Sequence, residues 1–261
     1  MPATKDPDLT IPSRFCGPAR SGNGGYTAGT LAERVPHQES RPFVEVTLRR
    51  PPPLEVPMAV RQLSADDPDN LGGVPLTVLL LDEARVAEAR AVDDDTAPVE
   101  AVSAGLAADA MSRFPGLASH PFPTCFACGV GREEGDGLRI FPGPVGSGRV
   151  ASLWVPHESL AESTDLLDQQ EERVGAGTAW AALDCVGGWA GDMDERKMVL
   201  GRITARVDAL PVVGEPHVVM GEARGQEGRK TFTASTLYDS DGRIVARAAH
   251  VWVAVDPDSF N

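Results

Sequence analysis

Residues 176 to 190, Ala-Gly-Thr-Ala-Trp-Ala-Ala-Leu-Asp-Cys-Val-Gly-Gly-Trp-Ala, constrain this chain more than any other stretch. Their composition is helical, and Trp180, Leu183, Val186 and Trp189 distribute bulk around the segment from Ala179 to Ala190. A helix that is apolar all round is buried all round. Stretches of β composition follow at Met198 to Asp208, His217 to Arg224, Lys230 to Tyr238 and Arg243 to Val255, with a hairpin turn at Asp239-Ser-Asp-Gly242. Strands that follow a fully buried helix must wrap it, so a curved antiparallel sheet around a central helix is expected. Asp184 is the only charge between Ala179 and Ala190. Burying an unpaired carboxylate costs several kcal/mol. Desolvation raises its pKa, as a general base or nucleophile requires. The bland alternative is a carboxylate that only accepts hydrogen bonds from a neighbouring backbone or arginine.

The same pattern is written earlier in the chain. Gly22-Asn-Gly-Gly-Tyr-Thr-Ala-Gly-Thr-Leu-Ala-Glu33 corresponds to Gly175-Ala-Gly-Thr-Ala-Trp-Ala-Ala-Leu-Asp184. A helix is expected over 24–35, stopped by Pro36. Strands are expected at Phe43 to Leu48, Val56 to Leu63 and Pro75 to Leu81, and Ala84 to Val92 reads as a strand with a helix as the weaker alternative, since Ala, Arg and Glu favour either only weakly. Arg49-Arg50-Pro51 falls where Ala209-Leu210-Pro211 falls in the second copy, and Leu80 to Arg90 matches Leu237 to Arg247. The expected organisation is a unit over 1–92, opening with a loose arm to about residue 15 and a short strand at Leu9 to Ile11. A connector over 93–119 follows, helical from Val99 to Arg113, and then a second unit over 120–261. Before its helix the second unit is expected to carry short strands at Gly137 to Phe141 and Arg149 to Val155, and a polar loop from His157 to Arg173.

Composition narrows the function. The 261 residues carry 38 acidic and 24 basic side chains, a formal net charge of −14. That argues against a broad nucleic-acid surface, which needs clustered Lys and Arg. No apolar run approaches the length of a membrane span, and Met1 to Thr10 lacks the apolar core of a signal peptide, so a cytoplasmic protein is expected. The chain has no Gly-x-Ser-x-Gly elbow, P-loop or His-Glu-x-x-His motif. Cys125-x-x-Cys128 has the spacing of half a zinc site. Because His120 and His157 do not complete it by spacing, it reads as a structural turn, with no resident metal. Cys185 reads as a small core residue and His250 as core or edge.

Gly177 lies seven residues, about two turns, before Asp184 on one helix face. Free backbone N–H groups at a helix start can hold a developing oxyanion. Together with Cys125-Phe-Ala-Cys128-Gly129, Gly137-Leu-Arg-Ile140, Val150 to Pro156, Gly228-Arg-Lys230 and Asp241 to Ala246, these landmarks make Cys125 to Val255 resemble the hotdog-fold thioesterases, in particular the phenylacetate-pathway type. The first half resembles the diverged copy of tandem double-hotdog acyl-CoA thioesterases.

The resemblance implies an α+β double hotdog, with two antiparallel sheets each wrapped around a central helix. It implies an acyl-CoA hydrolase in which Asp184 activates water or attacks the thioester, while Asn23, Gly24, Gly25 or Gly177 polarises the carbonyl. A mirror site would pair Gly177 with Glu33. Arg49, Arg50, Arg229 and Lys230 are candidate ligands for coenzyme A phosphates, coenzyme A entering only as part of the substrate. Two departures stand out. The His of the family's His-Gly-Gly is Gly175 in one copy and Asn23 in the other, and Glu33 lies one position beyond the family's register. A non-catalytic acyl-thioester or small-lipid binding protein therefore stays open, as does, more weakly, a hydratase or dehydratase. Pairing of two chains into a homodimer also stays open.

Overall fold

The computed structural model describes residues 8–70, 72–162 and 171–256; the first residues of the expected N-terminal arm and the middle of the expected polar loop lie outside them. The elements in chain order are α1 (Gly24–Ala32), β1 (Phe43–Leu48), β2 (Ala59–Leu63), β3 (Leu76–Leu81), β4 (Ala84–Val92), α2 (Ala104–Met111), β5 (Gly143–Gly146), β6 (Arg149–Trp154), β7 (Ala161–Glu162), β8 (Arg173–Val174), α3 (Ala176–Ala190), β9 (Met198–Val207), β10 (His217–Glu227), β11 (Lys230–Tyr238) and β12 (Ile244–Ala254). The helix α3 and strands β1, β4 and β11 span the expected residues. Helices α1 and α2 are shorter than the hydrophobic pattern suggested. Leu9 and Ile11 are buried and bridge to Met58 and Leu54, so the arm is bound to the core from Leu9 onward.

Two expectations fail. Ten of the twelve strands form one antiparallel sheet, in the order β2-β3-β4-β1-β9-β12-β11-β10-β6-β5, rather than one sheet around each helix, and β7 and β8 pair apart from it as a two-residue ladder. The join is the β1–β9 ladder, from Val44 opposite Ala205 to Thr47 opposite Arg202. An edge strand leaves a row of unpaired N–H and C=O groups, and pairing these two edges satisfies both rows. Outward from the seam the order is β1-β4-β3-β2 on one side and β9-β12-β11-β10 on the other. Second, residues 137–141 are not a strand. Arg139 has a positive φ of 54°, and the amides of Leu138 and Ile140 donate to the carbonyls of Phe126 and Ala127 at 2.8 and 3.0 Å. That segment's hydrogen bonds go to the Cys125–Cys128 turn, and the sheet strand forms later, at Gly143.

Every residue of α3 from Gly177 to Ala190 is buried, as the composition required. Part of that cover is α1, and the two helices touch through glycine. A Cβ on Gly25 would lie 2.5 Å from Asp184 Cβ and 2.7 Å from the Trp180 carbonyl, and one on Gly29 would lie 2.7 Å from Trp180 Cβ. The obstructing atoms at Gly25 belong to backbone and to the root of a side chain, so they cannot swing aside. Gly25→Ala is expected to lower unfolding stability by about 1–3 kcal/mol through overpacking, read as an earlier midpoint in urea. An unchanged midpoint would contradict this helix contact.

The other side of α3 rests on the sheet above His250. A Cβ on Gly187 would lie 2.7 Å from His250 Nδ1. Burial pushes the His250 pKa from 6.5 down to about 4. The ring nitrogens lie 3.3 Å from Thr233 Oγ1 and 3.4 Å from Ser235 Oγ. The unfolded chain protonates this histidine near its ordinary pKa and the folded chain only near the depressed one. Its stabilising share is therefore complete above about pH 6.5 and is lost as pH falls toward about 4, a change of about 3 kcal/mol. Asp184 carries the opposite sign, because burial raises its pKa, but it is common to wild type and a His250 variant. The advantage of wild type over His250→Gln in denaturant unfolding is expected to shrink by about 3 kcal/mol from about pH 7.5 to about pH 4. An advantage independent of pH would contradict a neutral buried His250.

Candidate active site

Asp184 sits in the middle of α3, 2 % exposed, opposite the start of α1. Asn23 caps α1: its Oδ1 accepts from the Tyr26 amide at 2.8 Å. This fixes the side chain so that Nδ2 donates to Asp184 Oδ2 at 3.0 Å, and the Gly25 amide donates to the same oxygen at 2.9 Å. One carboxylate oxygen is thus held by the first turn of a facing helix, where free N–H groups and the helix dipole favour negative charge. The other, Oδ1, is buried with no hydrogen-bond partner among the described residues. Burial lifts the pKa from 3.8 to about 7, against the opposing pull of the Gly25 amide, with the neighbouring Cys125 raising it and Asn23 lowering it. Asn23 therefore does more than stand where a histidine is found in the resembled family, since it clamps the carboxylate.

Asp184, Asn23 and Gly24 line a cavity of about 260 Å³ with largely apolar walls, among them Leu48, Met198 and Trp252. Arg49 and Arg50, which follow β1, also line it. Both are exposed, and Arg49 is paired with Glu88. Arg229 and Lys230 stand at the β10–β11 turn, outside the residues that line this cavity; the Arg229 guanidinium donates to the Ala254 carbonyl at 2.9 and 3.3 Å. Of the four basic candidates, the fold therefore brings only the Arg49–Arg50 pair to Asp184.

Gly177 does not join them. It lies on the face of α3 that carries Asp184, but about 10 Å away along the axis, and it faces Thr30 and Tyr26 of α1. Glu33 caps the C-terminal end of α1 and lines a separate cavity with Gly29, Ala176 and Trp180. Its carboxyl is pushed up by burial and by the charge of Glu162. The Glu162 carboxylate occupies the space that any side chain at Gly175 would fill. A larger residue at 175, such as the histidine of the resembled family, would require the Glu162 side chain to swing aside, and no sequence pattern links two residues across the β7–β8 loop.

The cysteines were missed as a group. The Cys125 and Cys185 sulfurs are 3.6 Å apart, and Cys125, Cys128 and Cys185 together place three sulfurs within 4.8 Å of one another. All three line the Asp184 cavity. The thiols of Cys128 and Cys185 point at Cys125 and, with the amides of Ala127 and Cys128, hold its pKa well below the usual thiol value. Cys185 is a core residue by burial, as expected, but its position beside Asp184 carries it to the Cys125–Cys128 turn. His120 stays apart from the cluster, because its Nδ1 accepts from the Phe122 amide and its Nε2 faces the Cys128 carbonyl at 3.1 Å.

Among the described residues no helix is long and apolar enough to cross a membrane. No family model and no curated protein matches the chain. Solved structures do. A protein of Novosphingobium aromaticivorans, described provisionally as a thioesterase, aligns over 95 % of each chain with a TM-score of 0.58 and 13 % identity. The tesB protein MAP1729c of Mycobacterium avium subsp. paratuberculosis aligns over 95 % of this chain and 91 % of its own, with a TM-score of 0.53 and 14 % identity. A hot dog fold protein of unknown function from Alicyclobacillus acidocaldarius covers 96 % and 93 %, with a TM-score of 0.51 and 13 % identity. These likenesses cover nearly the whole chain, and the fold they share is the hotdog fold.

Proposed function

We propose that this chain is two hotdog units fused into one and that it hydrolyses acyl thioesters, with coenzyme A thioesters as the substrate class. The tandem reading is supported by the mirrored strand order about the β1–β9 seam and by the two helices packed across it. The observation that carries the hydrolase reading is the Asp184 carboxylate, a residue that lines an apolar cavity, with one oxygen clamped by Gly25 and Asn23 and the other buried and unpartnered among the described residues. A water positioned at the free oxygen loses its proton to Asp184 as it adds to the thioester carbon. The carbonyl oxygen gains charge near the first turn of α1, where Asn23 Nδ2 and the backbone of Gly24 and Gly25 lie. Collapse then breaks the carbon–sulfur bond, and the proton passes from Asp184 to the departing sulfur, leaving an acid and a thiol. In the nucleophilic variant of the route, Asp184 itself attacks the carbon and expels the thiolate; water then cleaves the resulting anhydride to the free acid, and its second proton passes to the thiolate, which restores the Asp184 carboxylate. Arg49 and Arg50 suit the phosphates of the thiol carrier.

One specific observation favours the binding-protein alternative. The Gly25 amide already donates to Asp184, so it reaches a substrate oxygen only if that bond is exchanged. Loss of thioester absorbance in the ultraviolet, measured across a panel of acyl-CoA substrates, separates the two readings without a thiol-reactive dye. Turnover is expected on at least one substrate. Asp184→Asn is expected to lower kcat by about 100-fold or more, and Arg49→Ala to raise KM with kcat little changed. Binding without turnover on every substrate would point to the binding protein. Turnover indifferent to Asp184→Asn would remove Asp184 from the chemistry.

A further inference from the structure

We infer that Cys125, Cys128 and Cys185 form a thiolate site for one borderline-soft divalent cation of the zinc class, with its fourth coordination position facing the Asp184 cavity. In tetrahedral zinc thiolate sites the metal–sulfur distance of about 2.3 Å sets the sulfur–sulfur edge at about 3.8 Å. The Cys125–Cys185 separation of 3.6 Å is close to that edge, and all three sulfurs lie within 4.8 Å of one another. Small rotations of the side chains close such a triangle onto an ion.

The surroundings are built for charge on sulfur. Asn23 Nδ2 lies 3.8 Å from Cys125 Sγ and 3.9 Å from Cys185 Sγ. The indole nitrogen of Trp189 is buried without a full hydrogen bond and lies toward Cys128 Sγ. Both are donors that neutral thiols serve poorly and metal-bound thiolates serve well, as outer partners do in metal sites. The Cys125–Cys128 turn is also held in shape before any ion arrives. The Gly129 amide donates to the Cys125 carbonyl at 2.8 Å, and the Leu138 and Ile140 amides clasp the carbonyls between the two cysteines. Cys185 is delivered to that turn by the rigid, wholly buried α3.

Three cysteines that bind one divalent ion as thiolates release whatever protons they still carry and leave a site of net charge −1, which the two N–H donors offset in part. The site uses no atom of Asp184, so it stands independently of the hydrolase reading. The fourth position opens toward the cavity, within reach of whatever the cavity holds.

The test uses the full chain, reduced and metal-free, titrated with cobalt(II) and then with zinc(II). Expected are one cobalt per chain with an intense sulfur-to-cobalt charge-transfer band, displacement of that band by zinc, and proton release on binding. Cys125→Ser, Cys128→Ser and Cys185→Ser are each expected to weaken zinc binding by about 10-fold or more. Cys16→Ser should leave it unchanged, since the Cys16 sulfur is engaged apart from the cluster by Arg132 and the Thr124 carbonyl. Asp184→Asn should keep the band while losing any hydrolysis, which separates this site from the proposed chemistry. Absence of a charge-transfer band in the wild-type chain would overturn the proposal even if every cysteine variant failed to fold. A band that survives in folded Cys185→Ser, or a Cys125–Cys185 disulfide that forms in place of metal uptake, would overturn it equally.

Discussion

The clamp between Asp184 of α3 and the first turn of α1 is the interaction on which the rest of the molecule depends. A carboxylate in the middle of a wholly buried helix is costly unless something takes the place of water. Here the Gly25 amide and the Asn23 side chain do so for one oxygen only. The clamp works because α1 approaches α3 through glycine, close enough for a backbone N–H to reach a short acidic side chain. The approach in turn requires both helices to lie on one surface, which the β1–β9 ladder supplies by fusing two sets of strands into a single sheet.

The clamp also sets the character of the cavity. Its walls are largely apolar, its mouth carries Arg49 and Arg50, and its polar atoms gather at one point, where Asp184, Asn23 and the three cysteines meet. The opposite end of the helix pair is built differently. There burial and the charge of Glu162 push the Glu33 carboxyl up, and Glu162 fills the space beside Gly175. The two ends are therefore not equivalent, and the asymmetry follows from single residues: Asn23 against Gly175 at the helix starts, and Asp184 against Ala32 in the register that faces them.

Local pattern made much of this legible. The buried helix 176–190 was readable to the residue because nothing in it could face water, and Asp184 was conspicuous because it was the one charge there. Strands at 43–48 and 230–238 were readable from β-branched and alternating composition, whereas the Ala, Arg and Glu of 84–92 favoured strand over helix only weakly. Long-range relations were not. Nothing in the residues of β1 or β9 says that these two edges, more than 150 positions apart, pair with each other. The segment 137–141 has strand-like residues, but its amides are taken by the Cys125–Cys128 turn. Cys185 carries no spacing signal relative to Cys125 and Cys128, because helix packing alone brings it there. Gly177 shares a helix face with Asp184, as its spacing required, yet two turns of axial rise put it in a different environment.

A crystal structure of Asp184→Asn with a non-hydrolysable acyl-CoA analogue tests the central claim most directly. The account predicts that the acyl carbonyl lies against Asn23 and the first turn of α1, that the acyl chain fills the cavity lined by the end of β1 and the start of β9, and that the phosphates rest on Arg49 and Arg50. An analogue bound instead at the Glu33 end of the helix pair, or on the outer face of the sheet with the Asn23 cavity empty, would contradict it.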